Sequence, residues 1–150
     1  MPRLHVCSLA LIGETASRTG ARSLVTLLSP GTRIDRPAEI PAGRHLYLAV
    51  SDITEPIPGQ VLPERSHLDD LLAFVSAWDR AEPMLIHCFA GVSRSTAAAF
   101  VAACALNPGR DERDVARSLR AASPTATPNA RLVALADGAR SRRRSNGSTD

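Results

Sequence analysis

The chain has 150 residues, 44% of them apolar and 22% charged, which is enough for one compact core and too little for two domains. Its three cysteines, Cys7, Cys88 and Cys104, are an odd count without framework spacing, which argues against a disulfide-stapled secreted fold and for a reducing, cytoplasmic setting. The net charge of +3 resides in the last eleven residues, where Arg140, Arg142, Arg143 and Arg144 meet only Asp150; the preceding 139 residues balance 14 arginines against 14 acids, so no nucleic-acid partner is expected. All 18 basic residues are arginine, a composition expected of a GC-rich bacterial genome.

Residues 4–9 read as a strand, 14–20 as a short helix or loop, and 22–28 as a second strand closed by Ser29-Pro30-Gly31. His5 and Ser8 interrupt the apolar start, so it is not taken for an export signal. After a proline-punctuated loop, residues 44–50 alternate Leu46, Leu48 and Val50 against Tyr47 and Ala49 as a third strand. Residues 64–80 carry Leu68, Leu71, Leu72, Val75 and Trp78 at helical spacing, with Phe74 and Trp78 read as core.

Residues 84–88 form a short, almost wholly apolar strand, and residues 95–106 an alanine-rich buried helix ended by Asn107-Pro108-Gly109. The longest near-apolar run, residues 96–106, is about half the roughly 20 residues a membrane span needs. Two more helices are expected at 111–122 and 128–138, the second with Pro128 in its first turn. Helices alternating with strands predict a single α/β domain over residues 1–139, with a mostly parallel sheet of about four to five strands flanked by helices. Residues 140–150 are read as a basic, polar, disordered tail, and the protein as a monomer.

In such a domain the functional loops lie beyond the carboxyl ends of the strands, and Cys88 stands at one. The segment His87-Cys88-Phe89-Ala90-Gly91-Val92-Ser93-Arg94-Ser95 joins strand to helix, with five residues between cysteine and arginine. The same spacing recurs from Cys104 to Arg110, but there the cysteine lies late in an apolar helix and reads as a small buried hydrophobe. A nucleophilic thiolate needs a lowered pKa, and the backbone N–H groups of a tight loop opening a helix provide the field for it and for a phosphate. Gly91 lets successive N–H groups converge, Arg94 presents a planar fork to two phosphoryl oxygens, and Ser95 can donate to the departing sulfur. His87 is read as orienting the loop, with a satisfied core histidine as the plain alternative.

The loop resembles the phosphate-binding signature of cysteine-dependent protein tyrosine phosphatases, in the form typical of the small dual-specificity subgroup, since Ser93 stands where the longer tyrosine-specific enzymes usually carry glycine. The resemblance covers roughly residues 44 to 122. It implies Cys88 as nucleophile, phosphate held by Arg94 and the backbone of Phe89, Ala90, Gly91, Val92 and Ser93, and Ser95 assisting thiolate departure. It also implies a general acid on a loop before the cysteine; Asp52, 36 residues upstream of Cys88, fills that place, with a simple turn-starting role as the other reading and Glu55 in reserve. Asn129 is read either as positioning water or as capping the last helix, and is left outside the site.

The function so implied is hydrolysis of phosphotyrosine, with phosphoserine and phosphothreonine as a further substrate class, through a cysteinyl-phosphate, on a phosphorylated protein or a small phosphomonoester, with no metal and no cofactor. The competing classes are a rhodanese-like sulfur transferase, which would need neither Asp52 nor the Ser-Arg-Ser pattern, and a catalytically silent phosphate-binding module.

Overall fold

The computed structural model describes residues 4–147, with side chains as far as residue 138. Strands β1 (Leu4–Ser8), β2 (Ser23–Leu28), β3 (His45–Ala49) and β4 (Met84–Cys88) form one sheet in the order β1-β4-β2-β3. Every pairing is parallel, with Ser8 opposite Cys88, Thr26 opposite His87 and Leu24 opposite His45. Parallel neighbours require crossover connections: α1 (Ile12–Thr19) joins β1 to β2, residues 29–44 join β2 to β3, and α2 (Arg65–Ala77) joins β3 to β4, after which α3 (Arg94–Leu106), α4 (Glu112–Ala122) and α5 (Ala130–Gly147) follow the last strand.

Side chains alternate across the sheet and divide the core in two. Val25, Leu27, Ile86 and Cys88 face a large cluster built with α2, α3 and α5, while Leu24, Leu85 and Cys7 face a smaller one with Ile12 and Ala16 of α1 and Ile40. α3 lies close to the sheet because Ala97, Ala98, Ala99, Ala102 and Ala103 are small and buried. α4 packs outside it through Val115 against Ala103 and Cys104. Phe74 and Trp78 pack on the large cluster and Phe100 on the outer one, as their spacing predicts.

β4 enters last and sits between β1 and β2 with all five residues buried. The chain leaves β1 toward α1 on one face and leaves β4 toward α3 on the other, which opens a crevice at the carboxyl end of β4. Most elements differ from the sequence reading by one to three residues at an end, and both ends of the last helix differ from it. Pro128 precedes the last helix, because Asn129 caps it by accepting from Leu132 N–H at 3.1 Å. That helix also runs through Gly138 to Gly147, so that residues 140–147, read as part of a disordered tail, are helical: one interior glycine costs only about 1 kcal/mol, and alanine and arginine favour helix. Residues 148–150 of that segment lie outside the described residues.

Candidate active site

β4 ends at Cys88 and α3 starts at Arg94, so the five residues between them must turn tightly. Gly91 permits it: its φ is +74°, and a Cβ there would stand 2.7 Å from the Cys7 carbonyl carbon and 2.8 Å from Ser8 N, both backbone atoms of β1.

The carbonyl groups of the loop are held from outside. Phe89 O accepts from Leu9 N–H at 3.1 Å, Val92 O from Thr127 N–H at 2.9 Å, and Ser93 O from Asn129 N–H at 3.0 Å. Cys88 O faces His87 Nδ1 at 3.4 Å. In a trans peptide the C=O and the following N–H point in opposite directions, and no peptide here is cis. The N–H groups of Phe89, Ala90, Ser93 and Arg94 therefore turn away from those partners toward the inside of the loop, an anion-binding nest at a helix N-terminus.

Cys88 is 2% exposed, and its Sγ lies 3.1 Å from Ser95 Oγ. Burial is the largest single influence on the thiol and pushes its pKa up; the Ser95 hydroxyl and the N–H groups of Ser95, Gly91 and Val92 together outweigh it, so Cys88 ionises below its ordinary value. Cys7, one position out of phase with Cys88 across the β1–β4 pair and on the opposite face of the sheet, goes the other way: burial pushes its thiol up despite a hydrogen bond with Thr15.

Arg94 is 8% exposed. Its Nη1 donates to Val50 O at 2.9 Å and reaches Ser29 Oγ at 3.5 Å, which ties the loop to β2 and to the segment after β3. Its Nε is buried with no hydrogen-bond partner, the one such side-chain nitrogen or oxygen among the described residues. A buried donor left unpaired costs on the order of 1–3 kcal/mol, a cost that an oxyanion bound in the loop would remove.

Asp52 is exposed on the loop after β3, whose base is closed by Ser51 N–H to Val61 O at 2.9 Å and Val61 N–H to Ser51 Oγ at 3.1 Å. Asp52 Oδ1 accepts from Ser93 Oγ at 2.8 Å and from Asn129 Nδ2 at 2.9 Å. Both bonds fall on the same carboxylate oxygen. Ser93 stands at the N-cap of α3 but does not cap it with its side chain; that hydroxyl is spent on Asp52. Glu55, further along, lines an open groove with Asp52, Ser93 and Asn129.

The structure thus brings Cys88, Arg94, Ser95, the 89–93 backbone and Asp52 to one edge of the sheet, with His87 behind the loop. It adds residues that sequence reasoning left out: Asn129 against Asp52, Thr127 N–H on the loop, and the Val50 carbonyl under Arg94. Only Asn129 had a local signal, a capping residue type after proline.

No protein-family model matches the chain, and no curated protein matches it in sequence. Solved structures do. Human DUSP28 shares 20% identity over 97% of this chain and 96% of that one, with a TM-score of 0.75. Human tyrosine phosphatase-like serine/threonine/tyrosine-interacting protein shares 16% over 95% and 94% (TM-score 0.73), and Cydia pomonella PTP-2 phosphatase 22% over 90% and 84% (TM-score 0.70). With a four-stranded parallel sheet, a strand–loop–helix cradle at its central strand and near full-length superposition on these neighbours, the chain has the fold of the small dual-specificity members of the cysteine-dependent tyrosine phosphatases.

Proposed function

We propose that the protein is a phosphoprotein phosphatase that hydrolyses phosphotyrosine monoesters, and phosphoserine or phosphothreonine where they reach the thiol, through a cysteinyl-phosphate. The observation that carries this reading is the buried, unpartnered Nε of Arg94 at one end of a loop whose other end holds a thiol that the loop helps to ionise. The loop N–H groups and the Arg94 fork hold the non-bridging phosphoryl oxygens. The Cys88 thiolate attacks phosphorus; the bond to the leaving oxygen breaks, and Asp52 delivers its Oδ2 proton to that oxygen. Water then attacks phosphorus, gives a proton to Asp52, and displaces the thiolate, which Ser95 Oγ–H receives. The net reaction consumes one water and returns enzyme, alcohol or phenol, and inorganic phosphate. Ser93 and Asn129 aim the Asp52 carboxyl, and three cysteines without a disulfide suit a reducing, cytoplasmic compartment.

The loop side chains Phe89, Ala90 and Val92 add no positive charge, which favours a single phosphomonoester over a polyanionic substrate. A sulfur transferase would have no use for the Ser93–Asp52–Asn129 cluster, and a silent binding module none for a favoured thiolate.

The test is phosphate release from p-nitrophenyl phosphate and from a phosphotyrosine peptide without added metal. Cys88→Ser should abolish release on both. Asp52→Asn should slow an alkyl phosphate far more than the nitrophenyl ester, by about 10²-fold against a few-fold, because only the poor leaving group needs its proton. Unchanged release by Cys88→Ser would overturn the mechanism.

A further inference from the structure

A chain of polar side chains crosses three strands behind the phosphate loop. Thr26 on β2 stands opposite His87 on β4, and its Oγ1 lies 2.7 Å from His87 Nε2 and 2.8 Å from Nε2 of His45, at the start of β3. Thr26 and His87 are fully buried, and His45 is partly exposed. His87 Nδ1 faces Cys88 O at 3.4 Å.

Thr26 has one hydroxyl proton for two imidazole neighbours, so it donates to one ring and accepts from the other, and the contact of His87 with the Cys88 carbonyl selects which. His87 is neutral: burial above all pushes its pKa down to about 4, with His45 and Arg94 adding to that against the bond to Cys88 O. A carbonyl only accepts, so His87 carries its proton on Nδ1. Its Nε2 is then a bare acceptor and takes the Thr26 proton, and the Thr26 oxygen accepts from His45 Nε2–H. Burial and Arg36 also lower the pKa of His45, but its Nε2–H is available whether the ring is neutral or charged. Cys7 faces His87 from β1 on the same side of the sheet, its thiol kept neutral by burial.

Of the four loop carbonyls held from outside, three accept from backbone N–H groups, which any side chain would leave in place. The fourth, next to the reacting sulfur, depends on which nitrogen of an imidazole bears the proton. We infer that Thr26 and His45 are positioning residues for Cys88: by presenting a proton to His87 Nε2 they lock the Nδ1–H form, which holds the Cys88 carbonyl outward and aims the Phe89 N–H into the loop. Without the Thr26 hydroxyl, the Nε2–H form of His87 competes, and the first peptide of the loop loses its anchor. The kinetic consequence rests on the phosphatase reading above; the consequence for the thiol does not.

Two measurements test this on the full-length protein. Nitrogen-15 NMR of the wild type should find His87 as the Nδ1–H tautomer, and finding Nε2–H would overturn the inference whatever the variants do. The pH dependence of iodoacetamide alkylation, read at Cys88 by peptide mass, should move upward by about half a unit to one unit in the near-isosteric Thr26→Val, with phosphate release at pH 6 falling about 3–10-fold. Thr26→Ser, which keeps the hydroxyl, should restore both. His45→Gln, whose amide still donates, should stay near wild type, whereas His45→Phe should shift the same way by less. An unmoved midpoint in folded Thr26→Val would overturn the inference, and if that variant does not fold, the His45 pair and the tautomer decide. Midpoints that move as stated in a protein releasing no phosphate would leave the positioning chain standing and sink the phosphatase reading instead.

Discussion

The two cysteine–arginine pairs with five residues between them sit at opposite ends of the same helix. Cys88 lies before α3, and Arg94 is its first residue; Cys104 lies near its end, and Arg110 follows it. At the first end the backbone offers N–H groups, with the carbonyls tied away to Leu9, Thr127 and Asn129. At the second end the helix presents carbonyls instead: Cys104 O accepts from Asn107 N–H, and Ala103 O from Asn107 Nδ2 at 2.8 Å. Arg94 is buried with a donor unspent, whereas Arg110 donates to Ser118 Oγ at 2.8 Å. An anion is attracted to one end of α3 and repelled at the other, so spacing alone carries none of the chemistry.

The contrast breaks most visibly at the arginines. Arg94→Lys keeps the charge but loses the fork, and kcat/KM should fall about 10³-fold, equivalent to about 4 kcal/mol of transition-state stabilisation. Arg110→Lys should stay within about twofold. Steady-state kinetics on p-nitrophenyl phosphate decide it, and equal losses at both positions would erase the distinction.

Next in size are the glycines that follow each cysteine. Gly91→Ala meets β1 backbone in a left-handed conformation and should cost about 2–4 kcal/mol in urea denaturation. A Cβ on Gly109 meets nothing within 4 Å and its φ is not positive, so Gly109→Ala should change stability by less than about 1 kcal/mol.

The smallest effect sharpens the comparison through pH. His87 is neutral in the fold down to about pH 4, while in the unfolded chain it takes up a proton near 6.5. Between those values the unfolded state binds more protons, so stability is full above about 6.5 and falls by up to about 3 kcal/mol as the pH drops toward 4. His5 and His45, both lowered first of all by burial, act in the same direction. Chemical denaturation at a series of pH values should show a shallower decline in His87→Asn; an identical slope would contradict the buried neutral ring.

The elements that were legible in the sequence are those whose signal is local. β4 was read to the residue from an apolar run after Pro83, and the loop from residue types within nine positions, because a strand–turn–helix cradle for an anion needs glycine, arginine and a hydroxyl at fixed offsets. Asp52 was implied only by the resemblance to the phosphatase family; in the structure its carboxyl accepts from the Ser93 hydroxyl of the loop. The length of α5 was misjudged because a glycine was read as a stop, although helix propensity is a weak prior beside tertiary packing.

The sequence by itself therefore determined the alternation of strands and helices, the end of β4 as the candidate site, and the residue types in the loop there. Tertiary structure decided the strand order β1-β4-β2-β3, the Asn129 amide on Asp52 across 77 residues, and the His45–Thr26–His87 chain, whose Thr26–His87 link spans 61. The physical reason is reach. A helix or a turn is specified by neighbours a few positions apart, whereas a side-chain hydrogen bond between distant segments exists only once the strands are in register and their faces chosen, and no local pattern encodes which buried groups will then meet.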